Sequence, residues 1–353
     1  MEDSGPKGSE DAECEEISEG IAVPSDSGAV ENDIAAGRKT YSGNPVPAES
    51  ISESIAPSDS DEDLLEFLEE TKPKICIVGA GGSGCNTLNR LQQIGVEGAE
   101  LIAVNTDVQD LLKIKASKKI LLGKKLTRGM GAGSNPEIGE GAAKESAKEL
   151  ESALKGASMV FITCGLGGGT GTGSAHVIAE ISKSMGALTI GIVTLPFYSE
   201  GRQRRKNALD GLNRLKKKAD TTVVIPNDKL LTIAPDLPLN TAFKLSDEVL
   251  SGASKGITEL ITKAGLVNLD FADIRTTLLN GGYAVIGSGE SSLNAKPDER
   301  ARMSIETALN SPLLDAEISN SGKALINVVG GSDMTLREAE LMVNEVSSRI
   351  CLL

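Results

Sequence analysis

Two kinds of residue in this chain could do chemistry: glycines bunched after apolar runs, and aspartates grouped at the start of a helix. GAGGSG (Gly79 to Gly84) follows the apolar run KICIVGA and precedes a helical pattern. Glycines at such a turn let the backbone approach a phosphate, whose charge a helix N-terminus favours. Alone, the motif suits a dinucleotide fold equally well, with Asp107 as the ribose-binding acid, and it suits a plain strand–helix turn. LGGGTGTGSA (Leu166 to Ala175) is more specific, with five glycines in seven residues and Thr170 and Thr172 between them. Many free N–H groups and two hydroxyls at a helix start make a nest for several phosphate oxygens; a flexible hinge would need only the glycines. RGMGAGSNPE (Arg128 to Glu137) is a third glycine loop, before a helix that opens on Asn135 and Pro136. Three anion loops on the strand ends of one sheet suit a triphosphate. The P-loop signature G-x-x-x-x-G-K-S/T is absent. The acids lie in NLDFADIR (Asn268 to Arg275), where Asp270 and Asp273 are three apart and share a helix face. Such a pair could orient and polarise a water for attack on a phosphate; ordinary capping by Asn268 or Asp270 is the alternative reading.

The elements that must position these residues alternate. KICIVGA (Lys74 to Ala80), ELIAVNTD (Glu100 to Asp107), KKILLG (Lys118 to Gly123), ASMVFITCG (Ala157 to Gly165), LTIGIVTLP (Leu188 to Pro196) and DTTVVIPND (Asp220 to Asp228) read as strands. Helical patterns separate most of them, among them CNTLNRLQQI from Cys85, NPEIGEGAAKESAKELESALKG and SAHVIAEISKSMG. Alternation of this kind implies an α/β fold with a parallel sheet covered on both faces. A long helix follows from Thr241 to about Ala264, with Val249, Ala253, Ile257, Leu260 and Ile261 at helical spacing for burial. YAVIGSGE (Tyr283 to Glu290) and KALINVVGGS (Lys323 to Ser332) read as strands of a smaller α/β second domain, flanking the helices ERARMSIETALN and TLREAELMVNEVSSRI. The expected organisation is a disordered acidic tail over 1–60, a leader helix over 61–72, the nucleotide domain over 73–240, the connecting helix over 241–265 and the second domain over 266–353.

Charge and composition exclude several classes. The chain carries a net charge of -14, but residues 1–70 hold 20 acidic against three basic residues, so the remainder is close to neutral. No basic groove for nucleic acid is visible. A segment so polar and aromatic-poor as 1–60 cannot bury enough surface to offset its ordering entropy. The five cysteines are scattered, which suits reduced thiols in a cytoplasmic protein, and His176 is the only histidine, so no metal site is expected from protein side chains. No signal peptide and no apolar stretch of about 18–20 residues is seen, so direct membrane insertion is not expected.

GGGTGTG is similar to the signature of the tubulin/FtsZ family. KICIVGAGGSGCN, LIAVNTD, KLTRGMGAGSNPEIG, IPNDKLL and NLDFADIR stand around it in the order and spacing of that family's FtsZ branch, archaeal type, from Lys74 onward. The resemblance implies a GTP-dependent polymerising protein of cell division that hydrolyses GTP to GDP at the contact between head-to-tail subunits, with Mg²⁺ on the nucleotide phosphates. It implies that Gly81, Gly82 and Asn86 line the first loop and Gly131, Ala132 and Gly133 the third. Gly168, Gly169, Thr170, Gly171 and Thr172 would cradle phosphates, Glu200 and Arg204 would contact ribose, and Asn227, Phe243 and Asp247 the base. Asp247 also makes physical sense, because one carboxylate can accept from guanine N1–H and N2–H, a pair that adenine does not offer. Implied partners are further copies of the chain and division adaptor or regulator proteins, in the cytoplasm at the division site. The chain departs from the pattern at KLSDEV, at Cys85, which is expected beside the first loop in a position open to oxidation, and after SSRICLL, where the family continues with two more strands and a tail. Two rival readings are a low-turnover GTP-binding scaffold and an NAD-dependent oxidoreductase built on GAGGSG.

Asp247 and Asp270 are 23 positions apart. If most of these are helical, the two acids lie roughly 30 Å apart at about 1.5 Å per residue. An acid that far from the base would reach the nucleotide of the next subunit in a stack, and head-to-tail contacts that do not close give filaments. The resemblance implies the same arrangement, with Asn268, Asp270 and Asp273 completing a neighbour's site.

Overall fold

The computed structural model describes residues 73–233, 238–262, 271–291, 296–311, 313, 322–331 and 333–349. The expected tail and leader helix, and Asn268 and Asp270, lie outside them.

Seven strands form one sheet: β1 Ile75–Ala80, β2 Ala99–Asn105, β3 Lys118–Leu121, β4 Met159–Gly165, β5 Leu188–Leu195, β6 Thr221–Pro226 and β7 Gly282–Ala284, in the order β3-β2-β1-β4-β5-β6-β7. Every pairing is parallel. Parallel strands covered on both faces are apolar at nearly every position, and all six residues of β1 are buried. Period two divides them: Cys76, Val78 and Ala80 join one core, Ile75 and Ile77 the other. The first core takes helices α3 (Pro136–Glu145), α4 (Ala147–Leu154), α5 (Thr170–Ser184) and α6 (Arg202–Lys216). The second takes α1 (Gly81–Ile94) and the long helix α8 (Leu239–Thr262), which follows α2 (Val108–Lys113) and α7 (Asn227–Ile233) in the chain count. Leu250 and Ala253 of α8 are buried, and Val249, Ile257, Leu260 and Ile261 are partly buried against the same core. The strand order reverses between β1 and β4, so the loops after these two strands flank the crevice where ligands bind in open α/β sheets.

Four elements differ from the sequence reading. Helix α1 starts at Gly81 rather than Cys85, because the glycine loop is itself the first helical turn. The pattern from Asn135 to Gly156 breaks at Ser146 (φ -95°, ψ 16°), whose hydroxyl accepts from the Gly123 N–H at 3.0 Å. Of YAVIGSGE, only a short piece is a strand, and as β7 it extends the first sheet beside β6. KALINVVGGS makes no ladder among the described residues; β-branched composition gives a strand only where an edge is there to pair with. The second domain shows α10 (Pro297–Leu309) and α11 (Leu336–Arg349) closing on Ile305 and Val346, with α9 (Phe271–Leu278) before them. Arg300 of α10 reaches both Glu338 and Asp333 at 2.5 Å, which latches the two helices.

Helices α3 and α5 cross on glycines. A Cβ on Gly173 would lie 2.1 Å from the Pro136 carbonyl and 2.6 Å from the Glu140 nitrogen, both backbone. Neither atom can move without shifting a helix. Gly173→Ala is therefore expected to cost about 1–3 kcal/mol, read as a lowered midpoint in thermal unfolding; an unchanged midpoint would show that the crossing yields.

Candidate nucleotide-binding site

The glycines of the three loops divide into those the fold needs and those it leaves open. Gly79 and Gly84 bring α1 against the sheet: a Cβ on Gly84 would lie 2.3 Å from the Thr163 carbonyl. Gly81, at φ +71°, touches Gly171, whose nitrogen would be 2.9 Å from its Cβ. Gly169 packs on the third loop, 2.8 Å from the Ala132 Cβ and 2.9 Å from the Asn135 nitrogen. The second loop thus touches both of the others. A Cβ on Gly82, Gly133 or Gly168 would meet nothing within 4 Å. Of these, Gly82 and Gly168 also lack a left-handed φ, so neither packing nor backbone geometry of the protein requires glycine there. A cradle that a side chain would fill, at the starts of α1 and α5, fits a phosphate chain.

The threonines hold the loops in place. Thr170 shares a 2.6 Å hydroxyl contact with buried Thr106, at the end of β2. The Thr172 hydroxyl accepts from the Gly167 N–H at 2.8 Å, and the side chain is buried under the loop. Gly131, at φ +85°, donates its N–H to the Thr106 carbonyl at 3.1 Å, which ties the third loop to β2. Asp107 is the N-cap of α2, accepting from the Gln109 and Asp110 N–H groups. A capping role accounts for it, and the ribose-binding acid of a dinucleotide fold is not needed to explain it.

Glu200 accepts from the Phe197 N–H at 2.9 Å and pairs with Arg204 at 2.5 Å, which holds both at the start of α6. Phe243 of α8 stands edge-on to Phe197, with centroids 5.4 Å apart, and keeps 37% of its surface exposed. Buried Asn227 accepts from the Ser246 hydroxyl at 2.7 Å. The next residue, Asp247, accepts from the Ser83 hydroxyl at 3.2 Å, so the helix that carries Phe243 and Asp247 touches the first glycine loop. Burial pushes the Asp247 carboxyl up to about 6, with the hydrogen bonds from Ser83 and Asn86 pulling the other way. Ser83, Thr106, Phe197 and Ser246 were not singled out from the sequence, although Ser83 lies inside GAGGSG. Cys85 requires a correction: it is 1% exposed, its thiol lies against the Gly79 and Val104 carbonyls, and burial pushes it up to about 12. With so little thiolate it is inert to oxidation rather than open to it.

Asp273 lies elsewhere. The loops follow the C-terminal ends of the strands. Helix α8 starts beside them, with Asp247 at Ser83, and runs the depth of the sheet, so that Thr262 meets Gly98, the residue before β2. Helix α9 also ends at this far edge, where the Leu278 carbonyl accepts from Thr221, the first residue of β6. Asp273 is exposed and five residues before Leu278, about 8 Å along the helix. A six-residue strand such as β6 spans about 20 Å, so the anchored end of the helix that carries the acid lies across the sheet from the glycine loops.

Residues 74–235 match the model of the tubulin/FtsZ family GTPase domain, and residues 282–351 that of the FtsZ family C-terminal domain. The chain is 59% identical over 305 residues to a protein named cell division protein FtsZ 1 from Thermococcus kodakarensis, covering 86% of this chain and 80% of the relative. Its Methanocaldococcus jannaschii counterpart is 58% identical over 293 residues, 83% of this chain and 79% of the relative. Among solved structures, an empty FtsZ dimer from M. jannaschii superposes with a TM-score of 0.78 at 58% identity, over 83% of this chain and 84% of that one. CetZ2 from Haloferax volcanii, in a GTPγS-bound protofilament, gives 0.68 at 26% identity, over 78% and 85%.

Proposed function

Since this chain belongs to the tubulin/FtsZ family, we propose that it is a cell-division GTPase that assembles head to tail and hydrolyses GTP where one subunit meets the next. The observation that supports the reading is that the helix carrying exposed Asp273 ends at the strand ends opposite the glycine loops. Stacking two copies head to tail brings those strand ends onto a neighbour's loops, and such contacts propagate.

In this reading Gly82 and Gly168 face the phosphates, with Gly81, Gly171 and Gly169 holding the loops together and Gly131, Ala132 and Gly133 closing the third side. Thr106 and Thr172 set the position of the Gly168–Thr172 loop. Glu200 and Arg204 take the ribose, Phe243 covers the base, and Asn227 and Asp247 read it. Mg²⁺, held through the phosphates themselves, would supply neutralisation of their charge when bound. Asp273, with Asp270 and Asn268, orients the water that attacks the neighbour's nucleotide. The place of action is the cytoplasm at the division site, and attachment there depends on adaptor proteins; no helix among the described residues is long and apolar enough to cross a membrane. The oxidoreductase reading is set aside, because Asp107 is a helix cap and the family is a GTPase family.

GTP should be preferred over ATP because of Asp247. Asp247→Ala is expected to weaken GTP binding by an order of magnitude or more, a charge-assisted hydrogen bond being worth about 1.5–3 kcal/mol, and to leave ATP binding unchanged. Equal GTP affinity for the two proteins in a calorimetric titration would remove Asp247 from the base site.

A further inference from the structure

We infer that Ser83 is a specificity-determining positioning residue: by donating its hydroxyl to Asp247 it keeps that carboxylate ionised and aimed, and so decides the pH range over which guanine is recognised. The inference rests on the base-contact reading of Asp247 given above.

The contact spans 164 positions of chain and joins the first turn of α1 to the first half of α8 at 3.2 Å. Its setting makes it consequential. Asp247 is only partly exposed, so its charged form is short of water. The charged groups on the elements packed around it are directed elsewhere. Arg90 on α1 pairs with Glu248 at 2.7 Å. On α8, Lys255 bonds the Ile94 carbonyl at 3.0 Å and lies 3.6 Å from Glu259, and Lys244 is exposed. On α7, Asp228 lies 3.6 Å from Arg205 and accepts from the Tyr198 N–H, and Lys229 follows it. None of these sets the ionisation of Asp247; burial and two neutral donors, Ser83 and Asn86, do. Asn86 is exposed at the loop surface, whereas Ser83 is half-buried between the loop and α8.

A carboxylate has about four acceptor positions. Two donors from α1 leave the remainder for the two N–H groups of guanine, so Ser83 supports the charge without competing for the base. The protonated carboxyl would present an O–H to guanine and lose one of those two bonds. Guanine affinity must therefore rise with pH through the carboxyl's midpoint near 6 and fall below it. Removing one hydrogen bond to the charged form moves that midpoint up by roughly one unit, since such a bond is worth about 1.5–3 kcal/mol and one unit is about 1.4 kcal/mol.

The test is calorimetric titration with GDP from pH 5 to 8.5 on the full chain, for the wild type, Ser83→Ala and Asp247→Asn. The last cannot titrate and reports the phosphate's own ionisation. The expected result is that Ser83→Ala binds about fivefold more weakly than wild type at pH 6 and equally at pH 8.5, the ratio following from a one-unit displacement of the midpoint. A Ser83→Ala profile superimposed on the wild type, or a loss of the same size at every pH, would overturn the inference while leaving Asp247 at the base. An Asp247→Asn protein with wild-type affinity and wild-type pH profile would instead overturn the base contact itself.

Discussion

Gly168→Val is expected to abolish GTP binding without unfolding the protein. A Cβ on Gly168 meets nothing within 4 Å, and its backbone is not left-handed, so the apo protein has room for the branch point of a side chain and no left-handed strain to absorb. The space it enters is the open side of the loop, where phosphate oxygens must come close to the backbone N–H groups. Losing two charge-assisted bonds there, at about 1.5–3 kcal/mol each, weakens binding by a factor on the order of a hundred or more. The position matters. Gly169, one residue on, would drive its Cβ to 2.8 Å from Ala132 and 2.9 Å from Asn135. A valine there would force the second and third loops apart, and lost binding would not distinguish a blocked cradle from a broken one. Thermal unfolding of Gly168→Val at the wild-type midpoint, together with no heat on GTP titration, is the predicted pair of results. Wild-type affinity would remove this glycine from the phosphate site.

Asp273→Ala should do the opposite: bind GTP as the wild type does, and turn it over on the order of 10²–10⁴ more slowly, the range in which a positioned acid–base group contributes. Its own nucleotide site is untouched, because the helix that carries it is anchored across the sheet from the glycine loops. The substitution should also leave stability unchanged: Asp273 is exposed, and the buried anchor of its helix is Ile274. Turnover at the wild-type rate would show that the acids of NLDFADIR only cap their helix.

Much of this was legible in the sequence for physical reasons that can be named. The first six strands stand out because a parallel sheet buried on both faces demands unbroken apolar runs, and the glycine loops stand out because only glycine lets backbone approach backbone or phosphate so closely. What could not be read was long-range. Nothing local to GAGGSG says that its serine bonds an aspartate 164 positions away. Nothing in GGGTGTG separates Gly169, which packs against the third loop, from Gly168, which packs against nothing. Thr172 looked like a phosphate ligand but has its hydroxyl on Gly167. YAVIGSGE looked like a strand of the second domain because its composition is that of a strand, yet which edge it pairs with is decided by β6. The break at Ser146 is likewise set by a bond to Gly123, 23 positions earlier.

The anchoring of the Asp273 helix across the sheet from the loops turns these two variants into one decisive experiment. Gly168→Val carries intact acids and no nucleotide; Asp273→Ala carries nucleotide and lacks an acid. Each alone should be inactive. If the site is shared, mixing them restores turnover, because a nucleotide-loaded Asp273→Ala subunit receives its acids from a Gly168→Val neighbour, and sedimentation should find both proteins in the same assemblies. Wild-type turnover per molecule should likewise rise with concentration above a threshold. A mixture as inactive as its parts, although the two co-sediment, with a wild-type rate per molecule that stays constant down to dilutions where nothing sediments, would contradict the shared site.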